Sequence, residues 1–218
     1  EATNAIGVGV YVGWLIGLVQ SSVGIGAGAI IARAVGGRHR RLANAALGQA
    51  LILALGVGLV MGVLVFSFAP QIAGFTNLSG RSLEYCVSYL RIIALAAPLS
   101  ALLFIGSACL RAAGDTRSPF WVLVAVNLVN AVASITLVAA PAPLGGRGVT
   151  GIALGTLLGW TVGALLILLV LMRGWGGIRL RWIRLRPHWH TLRRIFAVGA
   201  PNLLEMFFGM WLANFVVI

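Results

Sequence analysis

Four side chains in this 218-residue chain can carry a negative charge: Glu1, Glu84, Asp115 and Glu205. Glu205 is the one set deep in an apolar run. It lies eleven residues past Arg194, roughly 16 Å along a helix and close to the middle of a ~30 Å hydrocarbon layer. An ionisable group at that depth is costly to keep and by default marks function. Burial there favours the neutral acid, so the chemistry Glu205 offers is uptake and release of a proton. A second constellation is neutral. Asn127, Asn130 and Ser134 stand at i, i+3 and i+7, on one helical face. Asn130 is roughly 18 Å along a helix counted from Ser118. Amides and hydroxyls at mid-membrane either line a cavity or tie helices together, and residue type does not choose between the two. Gln20, Ser21 and Ser22 form a weaker polar patch. Pro201, four residues before Glu205, removes a helix donor and lets the chain bend around a cavity.

Other chemistry is not written here. The chain has no HExxH, no P-loop, no GxSxG and no paired carboxylates within one segment, so neither a catalytic residue nor a cofactor is expected. His188 and His190 have no second ligand cluster, so no metal site is expected. Cys86 and Cys109 sit across the third apolar run, roughly 34 Å apart if helical, too far for a disulfide.

The elements that must position these groups are membrane spans. Residues are 60% hydrophobic and 9% charged, against about 25% charged in a soluble domain. Six runs approach or exceed the ~20 residues a span needs: Ala5–Ala32, Leu42–Gly80, Ile92–Leu110, Ser118–Gly146, Gly148–Met172 and Ile195–Ile218. None shows the short alternating pattern of barrel strands, so all are read as helices. Small residues recur at four-residue spacing in Gly13/Gly17, Gly24/Gly28, Gly58/Gly62 and the series Gly151, Gly155, Gly159 and Gly163. Such rows predict tight helix packing. The chain opens at Glu1 with no methionine and ends inside an apolar run, so a piece of a longer membrane protein is expected.

All sixteen basic side chains of the Lys/Arg class are arginines, and net charge is +12. Four follow the first run, two the third and seven the fifth, which puts thirteen in alternate gaps against three in the others. The positive-inside rule makes the thirteen-arginine side cytoplasmic. The segment 174–191 mixes arginine with Trp175, Trp182 and Trp189 and is read as lying at the cytoplasmic interface, with a bilayer rather than nucleic acid as its partner. Asp115, between Arg111 and Arg117, is assigned turn and salt-bridge duty, with Ser118–Pro119 as N-cap and N1 of the next helix.

These motifs also carry a resemblance. LRAAGDTRSPF (Leu110–Phe120), then NLVN and GVTGIALGT (Gly148–Thr156), with GAGAIIARAVGGRHRRLANAALGQAL (Gly26–Leu51) and VGAPNLLEM (Val198–Met206), resemble the multidrug and toxic compound extrusion (MATE) family. Arg111, Gly114, Asp115, Thr116, Arg117, Pro119 and Pro201 are its signature positions. The resemblance implies helices two to seven of a twelve-helix, two-lobe (6+6) antiporter in the plasma or inner membrane. Residues 1–172 would belong to the N-terminal lobe, 173–194 to a cytoplasmic linker, and 195–218 to the first helix of the second lobe. It also implies efflux of cationic or amphipathic drug-like compounds in exchange for H+ or Na+, by a monomer.

In the family, the N-lobe ion site joins an aspartate of the first helix to an asparagine and an aspartate of the fifth. Asn130 matches the asparagine, Asn127 a second amide, and Thr156 a nearby hydroxyl. The fifth-helix aspartate is Ser134 here, which cannot carry charge. The seventh-helix carboxylate of well-known branches aligns with Gly209, one turn beyond Glu205. Coupling is therefore expected to shift toward Glu205, with Gln20 and Asn202 lining the substrate cavity. The competing expectation, a lipid-linked saccharide flippase, calls for cavity arginines or lysines that these spans lack.

Overall fold

A backbone surrounded by lipid must satisfy its own N–H and C=O groups, which is why each apolar run is a helix. A computed structural model describes residues 2–74, 80–139, 148–174, 177–180 and 188–216, with side chains over 7–74, 80, 82–139, 148–174, 177–180 and 188–209. The helices are α1 (Ala2–Gly36), α2 (Arg40–Gly74), α3 (Arg81–Ala112), α4 (Arg117–Ala139), α5 (Gly148–Arg173) and α6 (Trp189–Val216). The first five are long and apolar enough to cross a membrane. The expected all-α, polytopic bundle is what the chain forms.

Two helices start well before their apolar runs. α3 begins at Arg81 and passes straight through Arg91. The Arg91 guanidinium lies 5.4 Å from the centre of the Phe66 ring on α2, so the cation rests on an aromatic face without ending the helix. α6 begins at Trp189 and takes in residues expected in the basic linker.

α3 occupies the middle of the bundle, against α1, α2 and α5, while α4 is held mainly through α5. Glycines set these contacts. Gly9, Gly24 and Gly28 of α1 face Tyr89, Ala108 and Ala112, so α1 and α3 run in the same direction. Gly58 and Gly62 bring α2 antiparallel onto Pro98 and Ala94. Pro98 has no N–H for the Ala94 carbonyl, and Gly62 lets the α2 backbone close over that carbonyl. Gly151, Gly155, Gly159 and Gly163 seat Leu137, Ser134, Asn130 and Val126, pairing α5 antiparallel with α4. Gly26 and Gly199 bring the end of α1 onto the start of α6. This pattern gathers Arg33, Arg38, Arg40, Arg41, Arg111, Arg117, Arg173, Arg179, Arg193 and Arg194 at one end, as the loop count predicts. Arg147, Arg181, Arg184 and Arg186 fall outside the described residues.

The turn after α3 is built differently from expectation. Gly114, at φ +96°, closes α3: its N–H donates to Arg111 O and the Asp115 N–H to Leu110 O, the paired bonds of a Schellman motif. Asp115 Oδ1 then accepts the N–H groups of Arg117 (3.1 Å) and Ser118 (3.0 Å). Asp115 rather than Ser118 therefore caps α4, because its carboxylate reaches two orphan donors of the first turn. Pro119 still falls in that turn, where its missing N–H breaks no bond.

The basic linker is not simply laid on the membrane surface. Ile178 and Leu180 are buried in the same core cluster as Leu171 and Leu47. Asn44 Oδ1 accepts the Arg179 N–H at 2.8 Å, and Gln49 Oε1 accepts the His188 N–H at 2.8 Å. Two amides near the start of α2 thus tie down both described ends of the linker.

A methyl group on Gly58 would meet Pro98 Cα at 2.5 Å and Ala97 O at 2.9 Å, whereas one on Gly56 would meet nothing within 4 Å. Gly58→Ala is expected to destabilise the bundle by about 1–3 kcal/mol, read as a lower melting temperature in detergent. Gly56→Ala should be neutral or slightly stabilising. Replacing Asn44 and Gln49 together by alanine should speed tryptic cleavage between Arg179 and Arg186, with the new ends mapped by mass spectrometry. Unchanged cleavage there would mean that the apolar residues alone hold the linker.

Candidate functional site

The pair Gly13 and Gly17 departs from the packing expected of it. Neither has an atom of another helix within 4 Å of where its Cβ would stand. Together with Ser21 they leave one face of α1 bare, and a cleft opens between α1, α3 and α5. It consists of two adjoining cavities of about 490 and 400 Å³ that share Gly17, Gln20, Ser21 and Phe104. The larger is walled by Trp14, Tyr89, Ser100, Thr156, Trp160 and Met206, and the smaller runs to Arg111 at the arginine-rich end.

Gln20 is the polar centre of this cleft. It is 1% exposed, and its Nε2 donates to Ser100 Oγ (2.9 Å) and Ala97 O (3.3 Å), while Ser100 Oγ donates to the same carbonyl. Ala97 O can only accept, so the amide orientation is determined. Gln20 Oε1 is left buried with no hydrogen-bond partner. A buried acceptor without a donor costs about 1–3 kcal/mol, and a ligand donor entering the cleft would relieve that cost. The neighbouring polar residues divide: Ser21 faces the cleft, and Ser22 lies buried where Gly199 of α6 meets it.

The asparagine stripe is settled by its neighbours. Asn130 Nδ2 donates to Thr156 Oγ1 at 3.1 Å, and Ser134 Oγ reaches Asn130 Oδ1 at a long 3.5 Å. Asn130 and Ser134 sit directly on Gly159 and Gly155. They tie α4 to α5, and Thr156 is the member of the group that reaches the cleft. Asn127 is not brought into this group. It is exposed, and its Nδ2 donates back to Leu123 O one turn earlier.

The α6 residues also differ from expectation. Met206 lines the cleft, while Leu203, Leu204 and Phe207 close an apolar groove against α1 and α2. On a wheel of about 100° per residue, Glu205 falls on the side away from that groove. It is exposed, so the burial assumed for it is not supplied by the described helices. Asn202, half-buried one turn before Met206, is not among the residues that line the cleft. Pro201 lies exposed within α6, which continues past it.

Sequence reasoning did not single out Tyr89, Ser100, Phe104, Trp160 or Met206. Only Ser100 carried a signal, since it follows Pro98 by two residues and can serve carbonyls that a proline disturbs.

A family model described as MatE matches residues 1–136. The chain belongs to the MatE family. It is 28% identical over 207 residues to the probable multidrug resistance protein NorM of Thermotoga maritima, covering 95% of this chain and 44% of that protein. It is 26% identical over 185 residues to the multidrug export protein MepA of Staphylococcus aureus, covering 83% of this chain and 39% of that one. Its fold is similar to a MATE crystal structure in the bent conformation, with a TM-score of 0.89 at 25% identity over 99% of this chain and 47% of the other. The chain therefore spans about half the length of the relatives it matches. Membership of MatE makes it part of a multi-pass membrane transporter family.

If Asn130 and Thr156 join α4 to α5, their effects on stability must be coupled. A double-mutant cycle of Asn130→Leu and Thr156→Val should give a coupling energy of about 0.6 kcal/mol and at most about 1.7, from unfolding in mixed micelles. Strict additivity would show that the bond contributes nothing.

Proposed function

We propose that this chain forms one half of a secondary active efflux antiporter, which expels cationic or amphipathic drug-like compounds from the cell across the plasma membrane. In this reading residues 1–172 belong to the N-terminal lobe, 173–194 link the lobes, and 195–218 open the second lobe. The observation that carries it is the cleft, whose larger cavity combines the orphan acceptor Gln20 Oε1 with the rings of Trp14, Phe104 and Trp160. Aromatic faces attract a desolvated organic cation, and a neutral amide oxygen gives it one directional bond. The cation among the cleft's lining residues is Arg111, at the mouth, which does not suit a cavity built for a pyrophosphate headgroup. The relatives named for multidrug resistance and multidrug export support the same reading.

Efflux against a gradient needs a coupled ion, H+ or Na+. Asn130, Thr156 and Ser134 offer only neutral oxygens, so the charge must come from elsewhere. Glu84 lies in the first turn of α3 and Asp115 caps α4, which leaves Glu205 as the acidic residue within the length of a described helix. Glu205 is assigned the coupling role from the open face of α6. Ion uptake there would alter how α6 places Met206 in the cleft, which is the differential interaction that alternating access requires.

Gln20→Leu in the full-length protein should raise the half-saturating concentration of a cationic dye by roughly 10–100-fold, the loss of one hydrogen bond to a charged group. Efflux from vesicles under an imposed proton or sodium gradient should be lost in Glu205→Gln while dye binding persists. Undiminished gradient-driven efflux in a well-folded Glu205→Gln protein would overturn the coupling assignment.

A further inference from the structure

A third cavity lies apart from the transport cleft, where the end of α1, the turn into α2 and the start of α6 converge. Its volume is about 460 Å³. Three basic side chains from three segments line it: Arg33 of α1, His39 of the turn and Arg194 of α6. Ile30, Leu42 and Val198 supply an apolar wall. Among the described residues none of the three basic side chains has an acidic partner. Glu84 is at the other end of the bundle, the Asp115 carboxylate is engaged in capping α4, and Glu205 lies about three turns beyond Arg194. The chain's excess of sixteen arginines over four acids makes an internal counterion unavailable to most of them.

We propose that this cavity binds a phosphate-bearing anion, and that in the membrane the ligand is the headgroup of an anionic phospholipid. Two guanidiniums match phosphate oxygens through paired N–H donors, and the first turn of α2 adds the positive end of a helix dipole. The apolar wall accommodates the chain region of a lipid, which free phosphate would leave unused. Basic recesses between helices at the cytoplasmic face suit this chemistry. The site joins α1 to α6 beside the contact of Gly26 with Ile195 and of Gly199 with Ser22. A bound headgroup bridging Arg33 and Arg194 therefore holds α6 against α1. None of this depends on what the cleft transports.

Native mass spectrometry of the delipidated full-length protein, titrated with phosphatidylglycerol or phosphatidylcholine, tests the assignment. Wild type should prefer the anionic lipid by about tenfold or more, since each arginine near a charged headgroup contributes about 1 kcal/mol. Arg33→Gln/Arg194→Gln should abolish the preference. Arg33→Lys/Arg194→Lys, which keeps the charge but loses the paired guanidinium donors, should keep part of it, showing that lost charge and not lost fold explains the glutamine variant. Val198→Trp, which fills the cavity and leaves every charge, should also abolish it. If Val198→Trp keeps the full preference, diffuse surface attraction explains the binding and the cavity assignment falls. In a parallel arm, inorganic phosphate at tens of millimolar is added during thermal unfolding. Stabilisation by phosphate in wild type but not in the glutamine variant, with no lipid preference, would keep the anion site and overturn the lipid as its ligand. No response to either anion would overturn the proposal entirely.

Discussion

Helices in a bilayer gain little from hiding apolar surface from one another, because lipid tails are as apolar as leucine. What holds them together is close contact, and close contact requires that something be missing from the surface. In this chain the missing atom is Cβ. Gly58 and Gly62 admit the Pro98 turn of α3, and Gly151 through Gly163 admit Ser134 and Asn130 of α4. Take those glycines away and the helices stand further apart, so the bond between Asn130 and Thr156 no longer reaches. The cleft depends on the same device used in reverse: Gly13 and Gly17 meet no neighbouring helix, and Gln20 lines the space they leave.

The polar groups that remain are divided between structure and function by what stands opposite them. Asn44 and Gln49 hold the linker through its backbone N–H groups. Asp115 spends its carboxylate on the first turn of α4, Asn130 spends its amide on Thr156, and Asn127 spends its own on its helix. Gln20 in the cleft is half used, with its donor end committed and its acceptor end not. At the arginine-rich end the imbalance is one of charge. Ten described arginines gather there with one described carboxylate, so this end is built to face anions supplied by its surroundings.

Much of the fold was legible because it depends on local rules. Runs of about twenty apolar residues must be helices in lipid, and arginine asymmetry orients them, without any knowledge of packing. Residue type also pointed to Gln20 and Asn130, and the family resemblance to Thr156. It did not reveal which of them faces a helix and which faces a cavity. A glycine pair at four-residue spacing reads identically whether it packs, as Gly58 and Gly62 do, or lines a void, as Gly13 and Gly17 do. Arg91 was read as the edge of a span because composition cannot show that the Phe66 ring lies beneath it.

The amino-acid sequence by itself determined the helical, membrane-spanning class, the gathering of arginine at one end, the family motifs and a short set of polar residues able to act. These follow from the bilayer as solvent and from bonds within one helix. Only the tertiary structure decided that Asn130 joins α4 to α5, that Asn127 stands aside, and that Glu205 faces away from the apolar groove. It alone placed Arg33, His39 and Arg194 around one cavity. Each of these depends on the angle and separation at which two helices meet, and a single helix carries no record of its neighbour's position.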